Sequence, residues 1–283
     1  MPPTIPLPAA RCRRLGTELR RLRERAGLSA AEAGGRIGIS PARLSDMEAG
    51  GQRLSAEQVR TLAGACGGAD GPLVEALARM TGDQGHGWWE GYRDRVPSGL
   101  SDLAELEHHA TALRVTQVVN IPGLLQTADC ARAVFREAVP PLLPHEIEDR
   151  VSHRLKRQAL LYRESSPPYT AIVHEAVLHM QFGGPRVARA QLEQLVALSE
   201  RPGITVLVIP FRTGFPSTGL GVDFCRGPVP QLDTVVLDVA CNAVVIDEPV
   251  RLNTYRLMLD RMQRVALDPE PSRDLVHRVA KAI

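Results

Sequence analysis

The fold is decided by the stretch LSAAEAGGRIGISPARLSDMEAG, residues 28–50, because two helix starts lie eleven residues apart within it. Ser29 followed by Glu32 is a capping box, in which the serine oxygen accepts from a first-turn amide and the glutamate accepts from the serine amide. Ser40 followed by Pro41 is a second start, since proline at the first helical position has a preset φ. Two helices joined by so short a turn must cross steeply, which is the helix-turn-helix arrangement.

Three further helices flank this pair. The upstream helix carries apolar residues at helical spacing, namely Leu15, Leu19, Leu22 and Ala26. Downstream, Ser55 with Gln58 caps a fourth helix, and the apolar residues of 73–80 indicate a fifth. We therefore predict an all-α domain of five helices over residues 12–80, preceded by a flexible arm at residues 1–11.

With these motifs in place, the N-terminal part resembles the Xre-type helix-turn-helix regulators, a phage-repressor-like family. The motifs that carry this resemblance are residues 19–23, 26–29, 38–40 and 44–45, with Glu48 and Gly50. More closely, the chain resembles actinobacterial members that carry a C-terminal domain of uncharacterised function. That closer resemblance rests on residues 121–128, 182–185, 191–192, 198–206 and 209–211.

The resemblance implies a DNA-reading surface on the second helix of the pair, which lies in the major groove with its N-terminal residues at base edges. The base-edge candidates are Ser40, Pro41, Ala42, Arg43 and Asp46. Arg43 is the strongest of them, because a guanidinium can bond O6 and N7 of guanine together, worth about 1–3 kcal/mol of discrimination. The candidates for phosphate contacts, which position without reading sequence, are Arg20, Arg21, Ser29, Arg36 and Arg53.

An arginine-rich first helix can also be simply a solvated face, and the motif departs from the family pattern at three places. Asp46 is unfavourable beside phosphates unless it accepts from a cytosine amino group. Ala30 replaces the glutamine that often opens the preceding helix. Gly34 and Gly35 lie inside that helix, where each glycine costs about 1 kcal/mol. We therefore expect modest affinity per monomer, raised by dimerisation or by a partner.

Composition favours a two-domain cytoplasmic protein. The chain has 283 residues, of which 44% are hydrophobic, enough for two cores. Residues 1–80 have a net charge of +4 and the rest −2, which suits a DNA reader whose second domain does not touch DNA. No apolar run approaches the ~20 residues of a membrane span. The five cysteines lack CxxC spacing, so we expect reduced thiols and no metal. We also expect no cofactor and, without an apolar run of membrane length, no membrane association.

A linker is expected at residues 81–99, because residues 81–87 are polar and contain three glycines. Trp88, Trp89 and Tyr92 gather at this boundary. They could anchor one domain to the other or form a partner patch, but a role in local packing is favoured.

The C-terminal part, residues 100–283, is predicted to be an α+β domain with a small mixed sheet that senses a ligand, binds a partner or dimerises. Helices are predicted at residues 100–118, 124–139, 146–163, 186–199, 250–266 and 272–282. Strands are predicted where β-branched runs are bounded by Gly or Pro, at residues 169–173, 205–209, 222–225, 234–239 and 243–246. The helix at residues 186–199 lies between the first two strands, so this part contains a strand-helix-strand unit.

The sequence offers no catalytic motif. His174 and His179 with Glu175 nearly spell a zinc-protease site, but the histidines are five residues apart, roughly 140° around a helix, instead of four. His108 and His109 are adjacent, so on a helix they face different ways. The glycine-containing loops lack nucleotide-binding spacing. We therefore expect no catalytic residues and no enzymatic activity.

Together these observations predict a sequence-specific transcriptional regulator that binds double-stranded DNA as a homodimer. Its C-terminal domain would respond to a small-molecule effector or a partner, and the resemblance implies that this partner is a small protein encoded by a neighbouring gene. An antitoxin-like protein that neutralises such a partner is an alternative, and an enzyme with a regulatory DNA-binding domain is another. A buried cluster of titratable groups in a pocket would favour the enzyme.

Overall fold

The computed structural model describes residues 10–52, 54–67, 71–82, 87–216, 221–239 and 242–283. The chain divides into two compact units, which we call the first unit (residues 1–90 and 228–232) and the second unit (residues 91–227 and 233–283). Some predictions lie outside the described residues: those for the arm at residues 1–9, Arg53, residues 83–86 of the linker, and Cys241. The other four cysteines are free thiols.

The first unit contains the five predicted helices. They are α1 (Ala10–Arg25), α2 (Ala30–Arg36), α3 (Pro41–Glu48), α4 (Ala56–Ala65) and α5 (Pro72–Met80). Both capping boxes form, at Ser29 with Glu32 and at Ser55 with Gln58, so the first-turn amides are satisfied by neighbouring side chains. The helices enclose one core, in which the most deeply buried side chains include Leu19, Leu44, Val59, Leu62 and Leu77.

Two glycines allow close backbone approach around α3. A Cβ on Gly34 would lie 2.7 Å from the carbonyl oxygen of Ile39, in the turn between α2 and α3. Gly50 has a φ of +78°, and a Cβ there would lie 2.8 Å from the backbone nitrogen of Arg13 in α1. Since only glycine combines this φ with the missing Cβ, Gly50 ends α3 against α1.

The second unit is an α+β domain, as predicted. Its helices are α6 (Ser98–His109), α7 (Ala128–Arg136), α8 (Pro144–Gln158), α9 (Ala176–His179), α10 (Pro185–Ser199), α11 (Pro249–Val265) and α12 (Pro269–Ala282). Its strands are β1 (Ala112–Gln117), β2 (Tyr169–His174), β3 (Ile204–Ile209), β4 (Val222–Arg226), β5 (Thr234–Val239) and β6 (Asn242–Ile246). No described helix is both long and apolar enough to cross a membrane.

The six strands form one mixed sheet in the order β3-β2-β1-β4-β5-β6. β1, β2 and β3 are parallel, and β4, β5 and β6 add antiparallel pairs. The predicted strand-helix-strand unit is β2-α10-β3. Successive residues of β2 point to opposite faces, so Ala171 and Val173 enter the core shared with α10 and α12, and Ile172 enters the core shared with α11. The sheet is therefore covered by helices on both faces.

The predicted helix over residues 100–118 is wrong in its second half. The helix ends at His109, and Ala112–Gln117 forms β1 near the centre of the sheet. Val115 there pairs with Ala171 of β2 and Asp223 of β4. The polar residues of β1 gave it the appearance of an amphipathic helix, but distant strands supply its hydrogen bonds and fix it as a strand.

Boundaries of other predicted helices also shift. The helix predicted from residue 124 begins at Ala128, because the Thr127 hydroxyl caps it by accepting from the Cys130 amide at 3.1 Å. The helix predicted over residues 146–163 begins at Pro144 and ends at Gln158, followed by a 3₁₀ turn. At the domain boundary, Trp89 and Tyr92 are both buried, which supports a packing role for these rings.

Candidate nucleic-acid interface

The N-terminal turn of α3 presents the predicted base-edge residues to solvent. The Ser40 hydroxyl accepts from the Arg43 amide at 3.2 Å, which fixes the first turn with Pro41 at its start. Pro41, Ala42 and Arg43 are exposed, whereas Leu44 on the opposite face is completely buried. The helix is thus held by its buried face, and its start is exposed to solvent.

Asp46 is exposed on the same helix, but its carboxylate lies toward the other end. A Cβ on Gly51 would be 2.2 Å from the Asp46 Oδ1 atom, so the carboxylate packs against the backbone that follows α3. Its negative charge therefore lies on the C-terminal side of the first turn that carries Arg43.

The predicted phosphate-contacting residues differ in how much of each is accessible. The Arg20 side chain is 62% exposed and donates to Glu24 at 2.9 Å. Arg36 is exposed and donates to the carbonyl of Ala65, at the end of α4, at 2.6 Å. The Ser29 oxygen already accepts from the Glu32 amide, although its hydroxyl hydrogen can still be donated. Among the described members of this set, Arg20 and Arg36 are thus the accessible cations.

Some arginines of the arginine-rich helix α1 form ion pairs within the protein and do not belong to a solvated face. Arg14 is buried and pairs with Glu18 at 2.5 Å, and Arg21, only 21% exposed, pairs with the same carboxylate. Charges at such depth must be paired, because an isolated buried charge is costly. The arginine count alone therefore overstates the surface available to DNA.

An ion pair that the sequence analysis missed joins α1 to α3. The Arg23 guanidinium donates to both carboxylate oxygens of Glu48, at 2.6 and 2.9 Å, and also to the Leu28 carbonyl at 2.8 Å. The hydrogen bonds of Glu48 raise the pKa of Arg23 despite the burial that opposes its charge. The sequence does contain a signal for this pair. Arg23 follows Leu19 by four residues and Glu48 follows Leu44 by four, so each charge lies on the buried face of its helix.

The near-match to a zinc-protease motif is a strand-to-helix junction. His174 ends β2, and Glu175 precedes α9 and accepts from the Phe211 amide at 2.8 Å. His174 and His179 each contact the Phe211 ring. Within the described ranges, no group of three or more His, Cys, Asp or Glu side chains is positioned to hold a metal ion.

Buried titratable groups do occur together in the second unit. Arg157 donates to both oxygens of Glu107 at 2.6 and 2.8 Å. Burial opposes the charge of Arg157, but the charge and hydrogen bonds of Glu107 outweigh it and raise its pKa. Burial, reinforced by nearby carboxylates, raises the pKa of Tyr169 and of Cys225 well above their ordinary values. At neutral pH these two groups are protonated and the arginine is charged.

Comparison with known proteins gives a match for each unit. A family model described as a helix-turn-helix domain (HTH_31) matches residues 14–77, and one described as a domain of unknown function (DUF5753) matches residues 100–278. No curated protein and no solved structure matches the chain. The helix-turn-helix match spans the candidate residues of α2 and α3, so it assigns them to a DNA-binding type of domain.

Proposed function

Because the chain belongs to the DUF5753 family and carries a helix-turn-helix domain ahead of that domain, we propose that it is a sequence-specific DNA-binding transcriptional regulator. The observation that carries this proposal is the start of α3, where Ser40 fixes the first turn and leaves Arg43 exposed. A rigid, solvent-facing helix start with an arginine is what major-groove reading needs.

The proposal includes a homodimer. One helix-turn-helix unit offers one reading helix, which covers about half of an operator, and two-fold operators reflect two-fold symmetric proteins. In this proposal the second unit senses a small-molecule effector or docks a partner, and the family resemblance points to a small protein encoded by a neighbouring gene. The protein would act in the cytoplasm, on chromosomal DNA.

We propose a binding role for the second unit in preference to an enzymatic one. Its buried cluster at Arg157 and Glu107 would favour an enzyme if one of its members exchanged protons near neutral pH. Instead, the raised pKa values of Tyr169 and Cys225 keep both groups protonated, so neither is activated as a base or nucleophile. The bidentate pair of Arg157 with Glu107 holds both side chains in one geometry, which suits recognition.

The test is selection of bound fragments from genomic DNA with the purified full-length protein. We expect enrichment of a two-fold related motif whose half-sites lie about one helical turn, roughly 34 Å, apart. Arg251→Ala, which removes an exposed arginine of the second unit, is a control and should recover the same motif. A selection that enriches no motif would contradict operator binding, and a single half-site would contradict the dimer.

A further inference from the structure

The second unit contains a cavity of about 430 Å³ on the face of the sheet that Val115 shares with α10 and α12. Sites for small molecules typically have volumes of about 300–1,000 Å³. The walls are contributed by α6, α7, α8 and the central strands, and the side chains that matter for recognition are Leu103, Gln117, Phe135, Arg154, Arg157 and Asp223. The cavity is thus large enough for a ligand and has both charged and apolar walls.

Arg157 is the most deeply buried charge of this cavity, with 5% of its side chain exposed. Glu107 occupies its Nε and Nη2 atoms, whereas Nη1 has no hydrogen-bond partner in the described part of the chain. Nη1 lies beside Gly123, where a Cβ would be 3.7 Å away. Because an arginine can donate five hydrogen bonds, Nη1 keeps donors available at the cavity wall.

Arg154 brings a second guanidinium to the same place. It lies one helical turn before Arg157, and a Cβ on Gly123 would be 3.5 Å from its Nε atom. Its Nη1 donates to the Gln126 side chain at 2.5 Å, and the guanidinium stacks over the Phe135 ring, 4.3 Å from the centroid. These contacts hold the cation in one orientation, which lowers the entropy lost when a ligand binds.

Both guanidinium groups lie beside Gly123, at the same end of the cavity. Glu107 balances the charge of Arg157, and Asp223 on β4 adds a second carboxylate to the lining, so recognition here depends on the directed N–H donors of the two guanidinium groups and not on an excess of positive charge. Guanidinium groups recognise carboxylate and phosphate oxygens through charge-assisted hydrogen bonds. The remaining wall is apolar and includes Leu103 and Phe135.

We propose that this cavity binds a small organic oxyanion, with a carboxylate or phosphate group held by Arg157 and Arg154 and an apolar or aromatic part against Phe135 and Leu103. The proposal rests on the proposed regulatory function only for what the ligand does to DNA binding, since ligand binding itself is measured without DNA. The proposal thus names a chemical class for the effector that the second unit would sense.

The test is isothermal titration of the full-length protein with four probes: phenyl phosphate, benzoate, inorganic phosphate and phenol. We expect saturable binding of phenyl phosphate or benzoate with a Kd of about 1 mM, as is usual for fragments of this size. Phenol and inorganic phosphate, which each lack one of the two features, should bind at least ~10-fold more weakly. The tighter of the first two probes distinguishes a phosphate from a carboxylate ligand. Absence of saturable binding by both would overturn the proposal.

Three variants locate the site. Arg154→Gln removes a cation without leaving Glu107 unpaired, and should weaken binding by at least ~10-fold, as loss of a charge-assisted contact does. Ala138→Phe fills the cavity and should abolish binding. Arg136→Gln removes an exposed arginine of α7 and should bind like the wild type. Unchanged binding by Arg154→Gln would overturn the assignment, whereas loss of DNA selection with intact probe binding would contradict only the proposed function.

Discussion

Arg23 donates a hydrogen bond to each carboxylate oxygen of Glu48, and each of the two side chains is more than nine-tenths buried. The pair connects α1 to the last residue of α3, and Arg43 lies at the exposed start of that same helix. A bidentate pair has a defined geometry in addition to its energy. It therefore fixes the angle at which α3 leaves the core and presents its first turn.

Breaking this pair should destabilise the first unit. Glu48→Gln leaves the Arg23 charge buried with one carboxylate fewer, and we expect the free energy of unfolding to fall by about 3 kcal/mol in urea denaturation. Glu24→Gln also removes a carboxylate near Arg23, but Glu24 is exposed and its oxygen lies 3.8 Å from the guanidinium. This substitution should therefore change stability by less than ~0.5 kcal/mol. Equal effects of the two substitutions would show that the buried pair has no special role.

The two adjacent glycines of α2 should respond in opposite directions to alanine. Gly35 has no atom within 4 Å of an added Cβ, so Gly35→Ala should stabilise the helix by up to about 1 kcal/mol. Gly34→Ala would bring a methyl group to 2.7 Å from the Ile39 carbonyl oxygen and should destabilise by about 1–3 kcal/mol. Thermal unfolding of both variants measures this, and stabilisation by both would mean that the turn is loosely packed.

The helices of the first unit could be predicted because local side chains specify them. Ser29, Ser40 and Ser55 each accept from an amide three residues ahead, so a short window contains the whole signal. β1 could not be predicted in this way, since Val115 is a strand residue only through Ala171 and Asp223, which are 56 and 108 residues away. Propensity is weak where such long-range pairing decides.

The candidate sites also differ in how far the sequence alone could predict them. The exposed start of α3 follows from its cap and its apolar face, which are both local. The ion pair of Arg157 with Glu107 joins positions fifty residues apart, and nothing near either residue indicates a buried partner. From the sequence alone, a charged residue is therefore expected on the surface. Only the fold shows that a distant partner allows it to be buried.

Arg43 should carry sequence discrimination. Arg43→Ala is expected to weaken binding to the selected operator by about 1–3 kcal/mol, with a much smaller loss on random DNA, because bidentate contacts to guanine are sequence-specific. Arg43→Lys keeps the charge but loses the bidentate geometry, so it should retain binding to random DNA and lose most of the discrimination. Fluorescence anisotropy on both DNAs measures this, and equal losses on both would exclude Arg43 from reading.

Arg20 should act on all sequences alike. Its guanidinium is exposed and we predict that it contacts a phosphate, so Arg20→Ala should lower affinity without changing preference and reduce the salt dependence of binding by about one unit. The same sequence-based prediction covers Arg21→Ala, although Arg21 is mostly buried and pairs with Glu18. Titrations from low to high salt give the slope, and an unchanged slope would make this face merely solvated.

His153 should make the second unit acid-sensitive. Burial, with repulsion from Arg157 and Arg154, lowers the pKa of His153 to about 3, against a value of about 6.5 in the unfolded chain. Below pH 6.5 the unfolded chain therefore binds a proton that the folded chain does not. The free energy of unfolding should fall by up to about 1.4 kcal/mol per pH unit from pH 6.5 toward pH 3.

Urea denaturation at pH 7.5, 6.5 and 5.5 measures this loss through the unfolding of the second unit. His153→Gln cannot titrate, so its stability should decline less between pH 6.5 and 5.5 than that of the wild type, by about 1 kcal/mol. His277→Gln, on the exposed surface of α12, should leave the wild-type dependence in place. If His153→Gln and the wild type lose stability in parallel, the buried imidazole does not bind its proton on unfolding, and other groups determine the acid response.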